Sequence, residues 1–419
     1  MVEKEAYSQA AGTGNYEKPT GLFGKYDNAR RYWEDQITAI FLAPALEQLV
    51  LRKNKNNEKL RILDLGCGSG DGYELLMGVR KSKSMIAEPS TNIISPDMLE
   101  VYIGVDINED LLGQAEACHR HNSDLEFICA DISEGLPRSI SDQEPFDVYF
   151  TSYGTLSHFY DDQNAKLIAD IFRPAPQDSI FMGDWLGSHS YEWQDLWLNA
   201  PDSEQFMDYR ISYIFPEEER GQHEISAFPL KLMTRDKIKR IMDKASRESE
   251  VQFKALKFFD RSIIVGRHTD TGDYNPNCVP YRKLINSLYE VNNRTDLNEL
   301  KFKYSSHTGF EELNRFFDAF FAHCAVLVKQ TVEMLKSYDE HKAIIEDIHV
   351  KEKSLLNPVK DAILSMRRLI YQHESIENDD FRANMIEPHL AYLLRKIEIE
   401  LQPGTGVGHG LVGLFEIKK

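Results

Sequence analysis

Through the middle of the chain, short apolar runs alternate with stretches whose apolar residues recur at helical spacing. Residues 60–65 read as a buried strand and 70–79 as a helix. Residues 101–105 then read as a strand and 109–119 as a helix, with further strands at 125–129, 146–150 and 179–182. Strands separated in this way must be joined by crossovers, so the pattern predicts a doubly wound α/β sheet with helices on both faces. A Ser-, Pro- and Asn-containing stretch at 81–100 enlarges one crossover and reads as a surface insertion.

The flanks follow other rules. Residues 1–25 are polar and contain Gly12, Gly14 and Gly21, which predicts a flexible arm. From 28 to 53, Tyr32, Trp33, Ile37, Ile40, Phe41, Leu46, Leu49 and Val50 follow a helical period, with Pro44 expected to divide the stretch into two helices. Beyond the fifth strand, 209–215 and 224–232 alternate around the turn at 216–221 and predict an inserted hairpin. Residues 234–245 return to helix. The runs 253–258 and 262–266 read as a pair of strands closing the sheet.

From 281 to 401 the period is helical throughout. A stripe from Leu313 to Tyr338 reads as the core of a helical unit, with a homodimer seam as its second use. The end turns again, with a glycine-rich loop at 404–410 and a short strand at 411–417 that must join a sheet edge. These transitions predict an arm and lid helices at 1–59 and a ligand-binding domain at 60–268 with its hairpin near 205–233. A helical domain at 269–402 and a closing loop and strand at 403–419 complete the expected organisation.

Composition narrows the class. At 419 residues, 42% of them hydrophobic and 28% charged, the chain is long enough for roughly two to three domains and falls within the range of folded globular proteins. With 49 Lys and Arg against 67 Asp and Glu, the net charge of −18 argues against a surface built to grip nucleic acid. No apolar run reaches the ~20 residues of a membrane helix. The acidic start lacks the order of a secretory leader, which places the expected location in the cytoplasm. Five scattered cysteines without a C-x-x-C pair predict neither a disulfide framework nor a metal site.

The chemistry concentrates at strand ends. The sequence Ile62-Leu-Asp64-Leu-Gly66-Cys67-Gly68-Ser-Gly70-Asp71-Gly72 runs a strand into a glycine turn at a helix start, where a ligand can approach the backbone closely. A dinucleotide fingerprint would require glycine at position 71, and Asp64 would repel a pyrophosphate. A phosphate-free cationic ligand is favoured, and S-adenosylmethionine combines an ammonium with a sulfonium. Asp106 ends the second strand, where a carboxylate accepts both hydroxyls of a ribose. It lies 36 positions beyond Gly70, more than the usual ~20, because of the 81–100 insertion. Asp131 follows the third strand, where a carboxylate accepts from an adenine amino group.

On these residues the chain resembles the class I S-adenosylmethionine-dependent methyltransferases over roughly 26–268. The resemblance rests on Asp64-Leu-Gly-Cys-Gly-Ser-Gly70, Gly104-Val-Asp106, Ala130-Asp131-Ile132 and Phe146-Asp147-Val148. It implies a seven-stranded Rossmann-like sheet whose last two strands form a hairpin, with the helical region added after it. It also implies S-adenosyl-L-methionine as cofactor, held by Asp64, Gly66, Cys67 and Gly68 at the methionine end, Asp106 and Ile107 at the ribose, and Asp131 and Ile132 at the adenine. Tyr26 and Arg30, in a segment preceding the sheet as lids do in that family, are candidates for the ligand carboxylate.

Methyl transfer from a sulfonium needs alignment first and a base only where the acceptor keeps a proton. Candidates beyond the fourth and fifth strands are His158, Tyr153 and Asp184, with His158 first as base or orienting group; a packing histidine is its plainer use. Trp185, Trp193 and Trp197 suggest an acceptor pocket or simple core, and His189, Tyr213 and His223 are further entries. The expected activity is methylation of a small organic acceptor at oxygen or nitrogen. A tRNA or protein methyltransferase, and a non-catalytic S-adenosylmethionine-binding protein, are the alternatives.

Overall fold

The computed structural model describes all residues except 1, 15, 17–18, 82–90, 200–202, 267–271, 273, 341–354 and 373–379. Much of the expected 81–100 insertion therefore lies outside the described residues. Strands β1 (Leu60–Leu65), β2 (Leu99–Asp106), β3 (Leu125–Cys129), β4 (Val148–Phe150) and β5 (Ile180–Gly187) pair in parallel in the order β3-β2-β1-β4-β5. Successive residues of these strands feed two separate cores. Ile62, Tyr102, Val148, Phe150 and Met182 pack on one face, while Leu63, Leu65, Ile103, Val105, Tyr149 and Phe181 pack on the other. Burial on both faces explains why the strands read as continuous apolar runs.

The sheet does not close as the sequence suggests. Strand β8 (Gln252–Arg261) is followed by no partner at 262–266. Ser262 takes a left-handed φ of 66°, and the Ile264 amide donates to Glu398 Oε2 at 2.9 Å, so it is spent on a side chain instead of a ladder. The antiparallel partner is β9 (Gly410–Lys418), which lies between β5 and β8 and pairs with both. The order becomes β3-β2-β1-β4-β5-β9-β8. The helical region is thus inserted between the last two strands of the sheet, and the strand at the end of the chain completes it. A hairpin of β6 (Phe206–Arg210) and β7 (Ala227–Met233) joins the far end of β5 at Leu186–Leu232 and Gly187–Met233, making nine strands among the described residues.

Two further expectations are corrected. Residues 2–12 are not a flexible arm but helix α1 (Val2–Gly12), with Ala6, Ala10 and Ala11 buried. A face of alanines docks closely without any large apolar stripe for sequence reading to find. Pro44 does not split its helix, since α2 runs unbroken over Asp35–Asn56. The carbonyl that loses its donor belongs to Ile40, which is 44% exposed and open to water, while Leu42, Leu46, Leu49 and Val50 hold the opposite face in the core.

Helices α3 (Asp71–Met77), α4 (Glu109–His119), α5 (Arg138–Ser141), α6 (Asp161–Phe172) and α7 (Arg235–Ser249) complete the sheet layer. The insertion contributes α8 (Arg282–Leu288), α9 (Glu311–Asp339), α10 (Asn357–Gln372) and α11 (Glu387–Leu401). The apolar stripe of α9 is core: Phe317 and Phe321 pack edge-on against Tyr191, their ring centroids 6.0 and 4.9 Å away. Among the described residues, no helix is long and apolar enough to cross a membrane.

Candidate active site

The turn after β1 is shaped by glycine. Gly66, Gly68 and Gly70 have φ of 75°, 54° and 84°, and a Cβ on Gly66 would lie 2.5 Å from the Thr155 methyl. The amides of Gly66 and Cys67 donate to the Val105 carbonyl at 2.8 and 3.0 Å, which presses the turn against the end of β2. Cys67 is buried beside it, where Gly104 leaves room for its sulfur.

Asp64 is fully buried beneath this turn. Tyr102 donates its hydroxyl to Asp64 Oδ2 at 2.5 Å, and Gly72 passes so close that a Cβ there would lie 2.0 Å from the same oxygen. Burial pushes the Asp64 carboxyl up to about 7, against the opposing effect of Tyr102. Its other oxygen, Oδ1, is buried without a hydrogen-bond partner. An orphaned carboxylate oxygen under a glycine cradle suits a cationic ligand that can supply the missing donor or charge.

Asp106 stands at the end of the neighbouring strand. Its Oδ2 accepts from the Gly68 amide at 2.8 Å and its Oδ1 from the Asn108 amide at 2.9 Å. Each carboxylate oxygen has a second lone pair, so both remain able to accept ribose hydroxyls. Ile107 beside it is 45% exposed. Asp131, exposed beyond β3, accepts from the Ser133 amide at 2.8 Å, whereas Ile132 turns into the core. The three acids therefore follow adjacent strand ends, in the spatial order β1, β2, β3.

The segment before α2 covers the turn. Lys25, which carries no signal in the sequence, donates to Ser69 Oγ and Asp71 Oδ1, both at 3.0 Å, and Arg30 pairs with the other oxygen of Asp71. Burial alone would raise the Asp71 carboxyl, but Lys25 and Arg30 beside it hold it below the usual carboxylate range. Tyr26 lies against the same group, its hydroxyl 3.4 Å from Ser69 Oγ. The residue that breaks the dinucleotide fingerprint is thus the anchor of the lid.

The catalytic candidates separate into two environments. Tyr153 and Asp184 belong to a buried polar network. The Tyr153 ring lies between the guanidiniums of Arg30 and Arg261, 3.5 and 3.9 Å from its centroid, and its hydroxyl donates to Asp35. Asp184 accepts from the Tyr153 amide at 2.7 Å and pairs with Arg261 at 3.2 Å; burial raises its carboxyl to about 6. Both groups are occupied within the protein.

His158 differs. It is half-buried on the turn after β4, with its ring stacked on Phe228 of β7 at 5.6 Å between centroids and Tyr7 of α1 on a further side at 6.1 Å. Helix α1 is tied down next to it, since Asn108 Nδ2 donates to the Lys4 carbonyl at 2.9 Å and to Ser8 Oγ at 3.1 Å. Tyr7 and Phe228 have no signature in the sequence, because their role arises from the docking of α1 and of the hairpin. The tryptophans are core: the indoles of Trp193 and Trp197 donate to the carbonyls of Gly187 and Ser190, and Trp185 points to Asn164. His189 packs edge-on to Trp197 and burial lowers it to about 4. Tyr213 bonds Tyr16, and His223 stacks on Phe215 at the surface.

Comparison with known proteins matches residues 56–184 to a family described as a methyltransferase domain. No curated protein matches the sequence. Among solved structures, similar folds include an S-adenosylmethionine-dependent methyltransferase from Clostridium acetobutylicum, at 16% identity over 52% of this chain and 83% of that one with a TM-score of 0.32. The glycopeptide N-methyltransferase MtfA complexed with sinefungin aligns at 12% identity over 52% and 79%, with a TM-score of 0.33. The YcgJ protein from Bacillus subtilis aligns at 13% over 64% and 87%, with a TM-score of 0.32. The matched segment spans β1, the glycine turn, Asp106, Asp131 and the strands that follow, and over those residues the chain carries a methyltransferase domain.

Proposed function

We propose that this methyltransferase acts on a small organic acceptor at oxygen or nitrogen, with His158 as the base or orienting group. The observation that carries this reading is the packing of Tyr7 from α1 and Phe228 from the β6–β7 hairpin around His158, which covers the turn after β4 with elements that an exposed docking groove would not need. An acceptor presented on a folded RNA or protein calls for an open groove, and the net charge of −18 offers RNA little attraction.

In this reading Gly66, Cys67 and Gly68 lie along the methionine end, while Asp64 supplies negative charge from below. Asp106 and Ile107 hold the ribose, and Asp131 and Ile132 border the adenine. Tyr26 and Arg30 close the carboxylate end. When bound, S-adenosylmethionine supplies an activated methyl on a sulfonium. The protein's task is to align the acceptor and exclude water, and His158 takes the proton an O–H or N–H acceptor must lose. Tyr153 and Asp184 then contribute by fixing the floor beside the acceptor, since their polar groups are already committed to Asp35 and Arg261.

The test is transfer of a labelled methyl group into three fractions: low-molecular-weight metabolites, total tRNA and protein. Label in the metabolite fraction supports the reading; label only in tRNA or protein overturns the acceptor class.

A further inference from the structure

We infer that the helical insertion forms part of the cofactor site, with Arg282 of α8 as a positioning residue for the segment that covers the glycine turn. The inference rests on the cofactor reading given above. The path of residues 21–31 decides where Lys25, Tyr26 and Arg30 lie, yet this segment holds little regular structure of its own until the helical turn that begins at Asn28, and Gly21 and Gly24 both have positive φ. Its anchors come from α8, more than 250 residues further along the chain.

Asp27 is the central anchor. It receives Arg282 Nε on Oδ2 and Nη2 on Oδ1, both at 2.7 Å, and the arginine and aspartate side chains are 1% and 3% exposed. The same carboxylate accepts from the Arg30 amide at 2.9 Å and from Asn286 Nδ2 at 3.0 Å. A planar guanidinium bound through two nitrogens fixes distance and orientation together, which a single contact does not.

Asn286 adds a second hold. Its Oδ1 accepts from the Ala29 amide at 2.6 Å, and its Nδ2 also donates to the Leu22 carbonyl at 3.0 Å. Asn28 returns the contact, donating to the Asn286 carbonyl and to Glu290 Oε2, each at 3.1 Å. On the other side, Arg282 Nη1 reaches the Gly266 carbonyl just past β8 at 2.9 Å. One turn of helix from the insertion therefore ties the lid to the sheet. The lid passes that position on to the ligand turn through Lys25 and Arg30 on Asp71.

The experiment is calorimetric titration of the full-length protein with S-adenosylhomocysteine. Arg282→Lys keeps the charge but loses the two-point grip, and weakens binding by about tenfold or more. Asn286→Ala weakens it to a smaller extent and carries the test should Arg282→Lys fail to fold. Glu387→Gln serves as control. It removes a buried partner of Arg382 elsewhere in the insertion, lowering the melting temperature while leaving the dissociation constant unchanged. Folded Arg282→Lys and Asn286→Ala proteins with wild-type affinity overturn the inference alone. Absence of binding by the wild-type protein overturns the cofactor reading and the inference with it.

Discussion

Gly68 donates its amide to Asp106 Oδ2 at 2.8 Å, so the glycine turn after β1 and the acid that ends β2 are locked to one another. The carboxylate thereby sets the shape of the turn, and in the proposed reading it also accepts from a ribose. Asp106→Ala removes both contributions, each a hydrogen bond to a charged group worth about 1.5–3 kcal/mol, and is expected to weaken S-adenosylhomocysteine binding by about tenfold or more. Asp131→Ala, at an exposed position, is expected to have the smaller effect. Isothermal titration of both variants checks the order.

His158→Ala leaves the strand-end acids untouched. Turnover is expected to fall by about a hundredfold or more, in the range of a lost general acid or base, while cofactor affinity stays near that of the wild type. Single-turnover kinetics with the acceptor found in the labelled-methyl screen, paired with calorimetry, separates the two. Unchanged turnover removes His158 from the mechanism.

Two glycine substitutions are expected to act with opposite sign. Gly66→Ala forces a Cβ into Thr155 at a left-handed φ of 75°, and is expected to cost about 1–3 kcal/mol in stability. Gly113→Ala, inside α4 with nothing within 4 Å of the new methyl, is expected to gain about 0.5–1 kcal/mol. Thermal unfolding of the two variants against the wild type shows whether the turn is as constrained as its geometry requires.

Glu398 gives a pH dependence with a definite direction. It is buried, with Oε1 accepting from the Trp33 indole at 3.2 Å and Oε2 from the Ile264 amide, and burial raises its carboxyl to about 7. A raised folded-state pKa means that the folded protein holds the proton more tightly than the unfolded chain. The stability it contributes is complete below the ordinary glutamate range and is lost as pH rises through about 7. Asp64, at about 7, and Asp184, at about 6, act in the same direction. The melting temperature is therefore expected to fall between about pH 5 and 8, and Glu398→Gln to flatten that slope. Identical slopes in the two proteins contradict this assignment.

Legibility follows the range of the interactions. β1, β3 and α4 begin and end where the apolar pattern places them, because burial on both faces or one face leaves a local signature. The acids at three strand ends are readable for the same reason, since each lies within two residues of the end of a strand. The partner of β8 is not. Residues 262–266 are as apolar as a strand, but the Glu398 contact and the left-handed Ser262 are set by α11 and by β9, more than 130 residues away in sequence. Helix α1 escapes sequence reading because it docks through alanines, which form no stripe of large apolar side chains. Lys25 and Arg282 escape it because a pairing between distant charged residues cannot be told from two solvated ones until the chain is folded.

The most direct measurement is a crystal structure with S-adenosylhomocysteine soaked in. The account predicts both ribose hydroxyls within hydrogen-bond reach of Asp106, about 2.6–3.2 Å, with the amino-acid end along Gly66–Gly68 beneath Lys25 and Arg30. A nucleoside bound away from Asp106, or a crevice beside Gly68 that stays closed by its own side chains at saturating ligand, would contradict it.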